Sequence, residues 1–257
     1  MRSRNLLKTK AIVLRTINYG DSDRIVTFYT RDFGKLTGIA KGARQSRKRF
    51  ANALEPISCL QLLFYRKSRD TMAIIETCDM VCHFDKIRDN LDKILQASYI
   101  LDLTNHFTIE DKKGESLFDL LDAFLAAIDI CKPTDSLARF FELRLLKLMG
   151  YEPVLDRCIK CKKVVENGGH YLFSVHDGGL TCLSCYPPSG DSLPISVGTI
   201  RTLLMGSNLE LSQMDRLGLP VSVVEESCKV LHAFISHLLG RELKSLRVLD
   251  EIRRLSA

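Results

Sequence analysis

The sequence predicts an α+β multidomain chain: a small five-stranded β-barrel, then an α-helical bundle interrupted by a cysteine-rich insertion. Three observations predict it. The first 82 residues hold five short runs rich in Ile, Val, Thr, Phe and Tyr, separated by Gly, Asp and Asn. Beyond residue 83 the apolar residues recur at helical spacing instead. Between 158 and 185 the cysteines come in two Cys-x-x-Cys pairs.

The expected strands are 9–17, 24–30, 35–41, 54–65 and 71–81. Turn chemistry punctuates them, in Asn18-Tyr-Gly-Asp-Ser22, in Asp32-Phe-Gly34 and in a basic loop at 42–52. Five short strands in about eighty residues suit a closed barrel, because closure leaves no unpaired edge. The five-stranded OB-fold is the natural candidate, and its surface commonly serves nucleic acids.

The helical region opens with Ile87, Leu91, Ile94, Leu95 and Leu101 on one stripe. A second stripe runs through Leu117, Leu120, Leu121, Phe124, Leu125 and Ile128. Pro133 and Thr134 offer a helix start before Leu137, Phe140, Phe141, Leu145 and Leu148, with Gly150 as a stop. Helical spacing returns at 196–204 and again at 221–239. The expected organisation is thus an OB barrel over 1–82 and a helical domain over 83–257, with a knuckle inserted at 151–190.

The chain has 257 residues with 37 Lys+Arg and 31 Asp+Glu, a net charge of +6. Residues 1–82 hold 16 of those bases and 7 of those acids, a balance of +9, which leaves 21 against 24, or −3, for 83–257. A positive field concentrated on one domain attracts a polyanion far better than the same charge spread out. No stretch reaches the ~20 apolar residues of a membrane span, and the basic N-terminus has no apolar leader core, so a cytoplasmic protein that engages no membrane is expected. Nine cysteines in such a setting read as core thiols and metal ligands, and an odd number argues against a fully disulfide-paired framework.

Six of those 16 bases lie in one acid-free stretch. Residues 33–54 contain Lys35, Lys41, Arg44, Arg47, Lys48 and Arg49 and no Asp or Glu. Long cations on a loop follow a phosphate backbone without demanding a base sequence, and Gly42, Ala43 and Ser46 let the chain approach closely. A merely solvated charged loop is the plainer alternative. The aromatics Tyr19, Phe28, Tyr29, Phe33, Phe50, Phe64 and Tyr65 share this domain, and strand alternation sends most of them inward. Phe50, inside the basic loop, is the expected stacking platform.

Cys158-Ile-Lys-Cys161 and Cys182-Leu-Ser-Cys185 are separated by residues 162–181. Two short turns presenting two thiolates each suit a tetrahedral zinc ion at about 2.3 Å. Four thiolates close the coordination sphere, so the expected role is structural, with one zinc per chain. Unrelated thiols and a redox dithiol are the alternatives, the latter lacking a βαβ context. His170 and His176 lie between the pairs and read as solvated loop residues.

Catalytic signatures are missing. The chain has no G-x-x-x-x-G-K-[ST], no G-x-G-x-x-G, no H-E-x-x-H and no G-x-S-x-G. Glu225 and Glu226 fall in a helical pattern and Asp21 and Asp23 in a turn, where solvated or capping roles are expected.

The N-terminal residues also carry a likeness. Lys10-Ala-Ile-Val-Leu-Arg15, Tyr19-Gly-Asp-Ser-Asp-Arg-Ile-Val-Thr-Phe-Tyr-Thr30, Gly34-Lys-Leu-Thr-Gly-Ile-Ala-Lys-Gly-Ala-Arg44 and Leu54-Glu-Pro56 resemble the opening of the RecO family of DNA repair proteins. Gly240-Arg-Glu-Leu-Lys-Ser245 and the place of the cysteine knuckle are similar too. The resemblance implies a non-enzymatic, bacterial, nucleoid-associated recombination mediator with an OB barrel, a helical bundle and a zinc knuckle. It implies binding of single- and double-stranded DNA and annealing of complementary strands. It further implies work with RecR, single-stranded-DNA-binding protein and often RecF to help RecA load. By position, Lys35, Lys41, Arg44, Arg47, Lys48 and Arg49 become the DNA candidates and Cys158, Cys161, Cys182 and Cys185 the metal ligands. On residues alone, a zinc-containing enzyme that modifies nucleic acid and a structural scaffold stay open.

Overall fold

The computed structural model describes residues 5–46, 48–50, 53–68, 71–132, 135–185, 192–209 and 219–256. Runs rich in β-branched and aromatic residues build five strands: β1 (Leu7–Tyr19), β2 (Asp23–Thr30), β3 (Gly34–Ala40), β4 (Cys59–Tyr65) and β5 (Ala73–Cys82). They close into a barrel in the order β1-β2-β3-β5-β4, with β4 returning to β1. The expected OB-like barrel is present. Its interior is filled by Phe28, Leu36, Phe50, Leu60, Leu62, Phe64 and Ile75. All pairings are antiparallel except β3 with β5, which are parallel and joined through only Gly38–Ala73 and Ile39–Ile74.

The fourth strand begins later than its hydrophobicity predicts. Residues 54–58 are instead a crossing segment over β1. Pro56 has no N–H to give a ladder, and Ile57 sits at φ 64°, outside strand geometry. A bulge in β1 between Val13 and Arg15 leaves backbone groups free to take this segment. Val13 N–H donates to Ser58 O at 3.0 Å, and Ile57 N–H donates to Val13 O at 3.3 Å.

Three helices follow: α1 (Asp85–Arg88), α2 (Leu91–Phe107) and α3 (Glu115–Ile130). Asn90 caps α2 by accepting from Lys93 N–H at 3.1 Å. The sequence groups these helices with the C-terminal half, whereas compactness groups them with the barrel. One compact unit comprises 1–130 with 248–257, and the other 131–247. Polar contacts tie α3 and the turn before it to the barrel. Lys10 Nζ meets Asp122 at 2.7 Å, Arg31 meets Glu115 at 2.7 Å, and Tyr29 OH donates to Gly114 O at 3.2 Å.

Gly34 marks a close approach within that unit. It sits at φ +70°, and a Cβ there would run into the Lys112 carbonyl. Gly34→Ala is therefore expected to lower the melting temperature. Left-handed backbone strain alone costs ~1–2 kcal/mol, and the collision adds to it. An unchanged thermal melt by circular dichroism would contradict this.

The second unit is built on α4 (Asp135–Met149), α5 (Val197–Asn208) and α6 (Val221–Leu239), with α4 packed on both of the others. Between α4 and α5 lies a four-stranded sheet of β6 (Val154–Cys158), β7 (Tyr171–Ser174), β8 (Gly179–Cys182) and β9 (Ser192–Ile195), in the order β6-β8-β7-β9. Phe173 from the sheet meets Phe234 of α6 edge-on at 5.5 Å. The last helix, α7 (Lys244–Ser256), carries the chain past residue 247, where the two units divide. The expected helix start at Pro133 and Thr134 lies outside the described residues. Among the described residues no helix is long and apolar enough to cross a membrane.

Candidate nucleic-acid interface and metal centre

The loop after β3 is tied down at Gly42, Arg44 and Arg49. Gly42 N–H donates to Asp23 Oδ1 at 2.7 Å, and Arg44 N–H donates to Ser22 O at 3.0 Å. Both bonds fasten the loop to the β1–β2 turn, and the capping role expected in that turn falls to Asp23. On the other side Arg49 O accepts from Cys78 N–H at 3.0 Å, fastening the loop to β5. Phe50 is 2% exposed and belongs to the barrel core. This corrects the expectation that Phe50 stacks on a ligand. An irregular loop has no periodicity to reveal which side chain turns inward, and here Phe50 is its anchor.

The anchored loop presents its cations outward. Lys41, Arg44, Lys48 and Arg49 are all exposed. Arg44 Nη1 donates to Asp21 O at 3.0 Å and Arg49 Nη2 to Lys41 O at 2.7 Å, so both guanidinium groups are oriented by neutral carbonyls. The Arg49 guanidinium also lies 5.0 Å from the Phe50 ring centroid. Among the described residues, none of these four cations has a carboxylate within ion-pair distance. Arg47 lies outside the described residues.

Lys35 is different. Its ammonium donates to Asn105 O at 2.7 Å and Thr108 O at 3.2 Å, at the C-terminal end of α2, where helix carbonyls lack partners. Burial lowers its pKa from the ordinary lysine value, with Glu110 opposing. The side chain points into the unit's own helices, which removes it from the loop's outward array. Arg24 and Arg66 are likewise committed, to Glu55 at 2.7 Å and Asp111 at 2.6 Å. For Lys10, burial is the largest influence and works against the charge, but the hydrogen bond to Asp122 and the nearby Cys59 and Asp122 charges together outweigh it and the pKa rises.

Beside the loop the barrel's outer face carries a feature that sequence reasoning missed. Strand register aligns Ile17 with Ile25, Ile25 with Ile39, and Ile39 with Ile74. Ile17 is 44% exposed and Tyr19, two residues on and therefore on the same face, 56%. Ile25, Ile39 and Ile74 are partly exposed. Period-2 alternation marks each isoleucine as outward, but only the register shows that they form one row.

The candidate metal centre is built from two turns brought together by the small sheet. Cys158 ends β6 and Cys182 ends β8, while Cys161 and Cys185 follow on tight turns, the latter in a 3-10 turn over Leu183–Cys185. Cys158 N–H donates to Lys163 O at 2.8 Å and Lys162 N–H to Cys158 O at 2.9 Å, closing the first turn. The four sulfurs lie within 4.8 Å of one another, with Cys161 and Cys182 at 3.8 Å. A tetrahedral ion with ~2.3 Å bonds needs sulfurs about 3.8 Å apart, so the set fits a metal ion. Among the described residues no histidine joins it. His176 is instead 84% exposed in its side chain, 3.4 Å from Asp177.

Electrostatics favour a cation at this centre. Burial opposes ionisation of Cys158, yet backbone N–H groups of Cys161, Cys182 and Lys160 outweigh it and bring the thiol down to about 6. Cys185 is pushed up to about 12 by the Cys182 and Cys161 sulfurs crowded against it. Four thiolates so close repel one another unless a positive ion sits among them.

Comparison with known proteins gives consistent matches. Residues 1–84 match the family model described as Recombination protein O N terminal, and residues 88–247 match Recombination protein O C terminal. A protein of Syntrophus aciditrophicus (strain SB) named DNA repair protein RecO is 52% identical over 257 residues, covering 99% of each chain. The protein of that name from Anaeromyxobacter dehalogenans (strain 2CP-C) is 36% identical over 248 residues, 96% of each chain. The one from Halalkalibacterium halodurans is 26% identical over 245 residues, 95% of this chain and 94% of its own.

Proposed function

The chain belongs to the RecO family of DNA repair proteins, and from that membership we propose that it is a non-catalytic recombination mediator that grips DNA through its barrel. One observation carries the reading: Lys41, Arg44, Lys48 and Arg49 stand exposed on an anchored loop with no acidic partner among the described residues. Fixed cations of this kind displace counterions from phosphates and bind without regard to base sequence. Arg47 joins them by position, and Lys35 does not. By neutralising two strands at once, such an array lowers the repulsion that opposes annealing. Within this reading the partners are single- and double-stranded DNA, RecR, single-stranded-DNA-binding protein, RecF and RecA, and the setting is the bacterial cytoplasm and nucleoid.

The metal in this proposal is zinc. Four thiolates suit it by softness and geometry, and they fill a tetrahedral sphere with no position for a reactive water. Cys158, Cys161, Cys182 and Cys185 would hold it, and its chemistry there is structural cross-linking.

Two measurements on the purified full chain test the proposal. Fluorescence anisotropy with a labelled single strand is expected to show binding at low salt that weakens steeply as salt rises, with a slope of about −0.7 per phosphate neutralised. Complementary strands are expected to anneal faster with the protein than without it, and without any nucleotide. Absence of binding at low salt would remove DNA from the account.

A further inference from the structure

We propose that Cys228 is a site of reversible oxidation by small hydroperoxides, set up by His232 beside it and by Glu142 and Arg139 behind that ring. The four residues join two helices of one compact unit, Arg139 and Glu142 on α4, Cys228 and His232 on α6. None of them enters the DNA reading above. Arg139 and Glu142 are buried and ion-paired, with Arg139 Nη2 at 2.6 Å from Glu142 Oε1. His232 brings Nε2 to 3.5 Å from the same oxygen. One turn earlier on α6, Cys228 holds its sulfur 3.3 Å from His232 Nδ1 and 3.7 Å from Nε2. The i, i+4 spacing puts thiol and imidazole on one face of the helix.

A base beside a thiol, with a third group to orient the base, is the arrangement that activates a cysteine. Charge works in the same direction. A proton passing from the sulfur to the ring turns the row into guanidinium, carboxylate, imidazolium and thiolate. Those signs alternate and sum to zero, so the transfer adds no net charge to a poorly solvated place. Cys228 is only partly exposed, which suits a small reactant. The thiolate sulfur attacks one oxygen of the hydroperoxide, an S–O bond forms as the O–O bond breaks, and the departing oxygen takes the proton that His232 holds. With hydrogen peroxide the products are a sulfenic acid at Cys228 and water, the sulfur giving up the two electrons that the peroxide gains. A small thiol then displaces water to give a mixed disulfide, and a second one releases the Cys228 thiol. Other cysteines are set differently. Cys59 and Cys78 are buried, and burial above all pushes both up to about 12. Cys158, Cys161, Cys182 and Cys185 belong to the candidate metal centre. Cys82, exposed, and Cys131, partly exposed, serve as the comparison.

The test treats the purified full chain with limiting hydrogen peroxide in the presence of dimedone, which captures sulfenic acids, and maps the adducts by peptide mass spectrometry. Cys228 is expected to be labelled about tenfold faster than Cys82 or Cys131. An ordinary thiol is only a few per cent thiolate at neutral pH, and part of the gain from pairing is lost to lower nucleophilicity. His232→Gln, which removes the base and keeps a polar side chain, is expected to bring Cys228 down to the rate of Cys131, with thermal melts checking the fold. The margin is expected to shrink with iodoacetamide, whose iodide leaves without a proton. Cys82 or Cys131 reacting as fast as Cys228 in the unaltered protein overturns the inference, and that comparison needs no variant to fold. An unchanged Cys228 rate in folded His232→Gln overturns it equally, and an equal margin with both reagents overturns the assignment to hydroperoxides.

Discussion

Replacing Lys41, Arg44, Lys48 and Arg49 together by alanine is expected to weaken single-strand binding about 10²–10³-fold at 0.1 M salt. Each cation that neutralises a phosphate on a single strand contributes about 0.7 to the salt exponent, so four contribute nearly three powers of ten at that concentration. The plot of log affinity against log salt should flatten by about three, and by the same amount for every base sequence. Stability should change little, because the four side chains are exposed and, among the described residues, their hydrogen bonds go to carbonyls while Arg49 also lies against the Phe50 ring. Lys35→Met serves as the counter-case. Its ammonium is occupied by Asn105 O and Thr108 O, so the salt slope should stay where it was. A steep slope surviving in the fourfold variant would show that the phosphates are held elsewhere.

Removing the metal, by a strong chelator or by Cys158→Ser, is expected to unfold the sheet of β6 to β9. Structural zinc sites supply about 10–16 kcal/mol of apparent binding free energy, comparable to the whole stability of a typical domain. The strands it joins are short: β7 and β8 have four residues each, and β6 meets β8 at only Val154–Gly179 and Cys158–Leu180. Limited proteolysis should then cut within 158–185, and metal analysis should fall from one ion per chain to none. Because Cys158 is buried, the smaller serine there also disturbs local packing, and the chelator experiment separates that from loss of the ion. Unchanged protease resistance in the chelated protein would show that the cysteines are not holding the fold.

The parts of this molecule that were legible in its sequence are those with a period or a spacing. Strands β1, β2, β3 and β5 announced themselves by β-branched and aromatic runs between turn residues, and the four clustered cysteines by their paired intervals. What alternation could not show was where apolar character serves a crossing segment, as at Leu54 and Ile57, or which loop aromatic is an anchor, as with Phe50. The roles of the cations were half legible. Charge runs are visible in a sequence, but whether Lys35 faces a phosphate or the end of α2 depends on a contact seventy residues away in the chain. The four-residue strands beside the cysteine cluster carry too little pattern to be read. Compactness was hidden for a similar reason: α1 to α3 look like their helical successors, and only pairs such as Lys10 with Asp122 assign them to the barrel.

The parallel junction of β3 and β5 closes the barrel through two residue pairs, against seven for β2 with β3. Such a cylinder has a zipper line, and backbone amides there should exchange with solvent sooner than those of its neighbours. Ile39 and Ile74 stand on either side of that line, so a molecule resting on both would stitch it shut, and occupancy and endurance of the barrel would rise together.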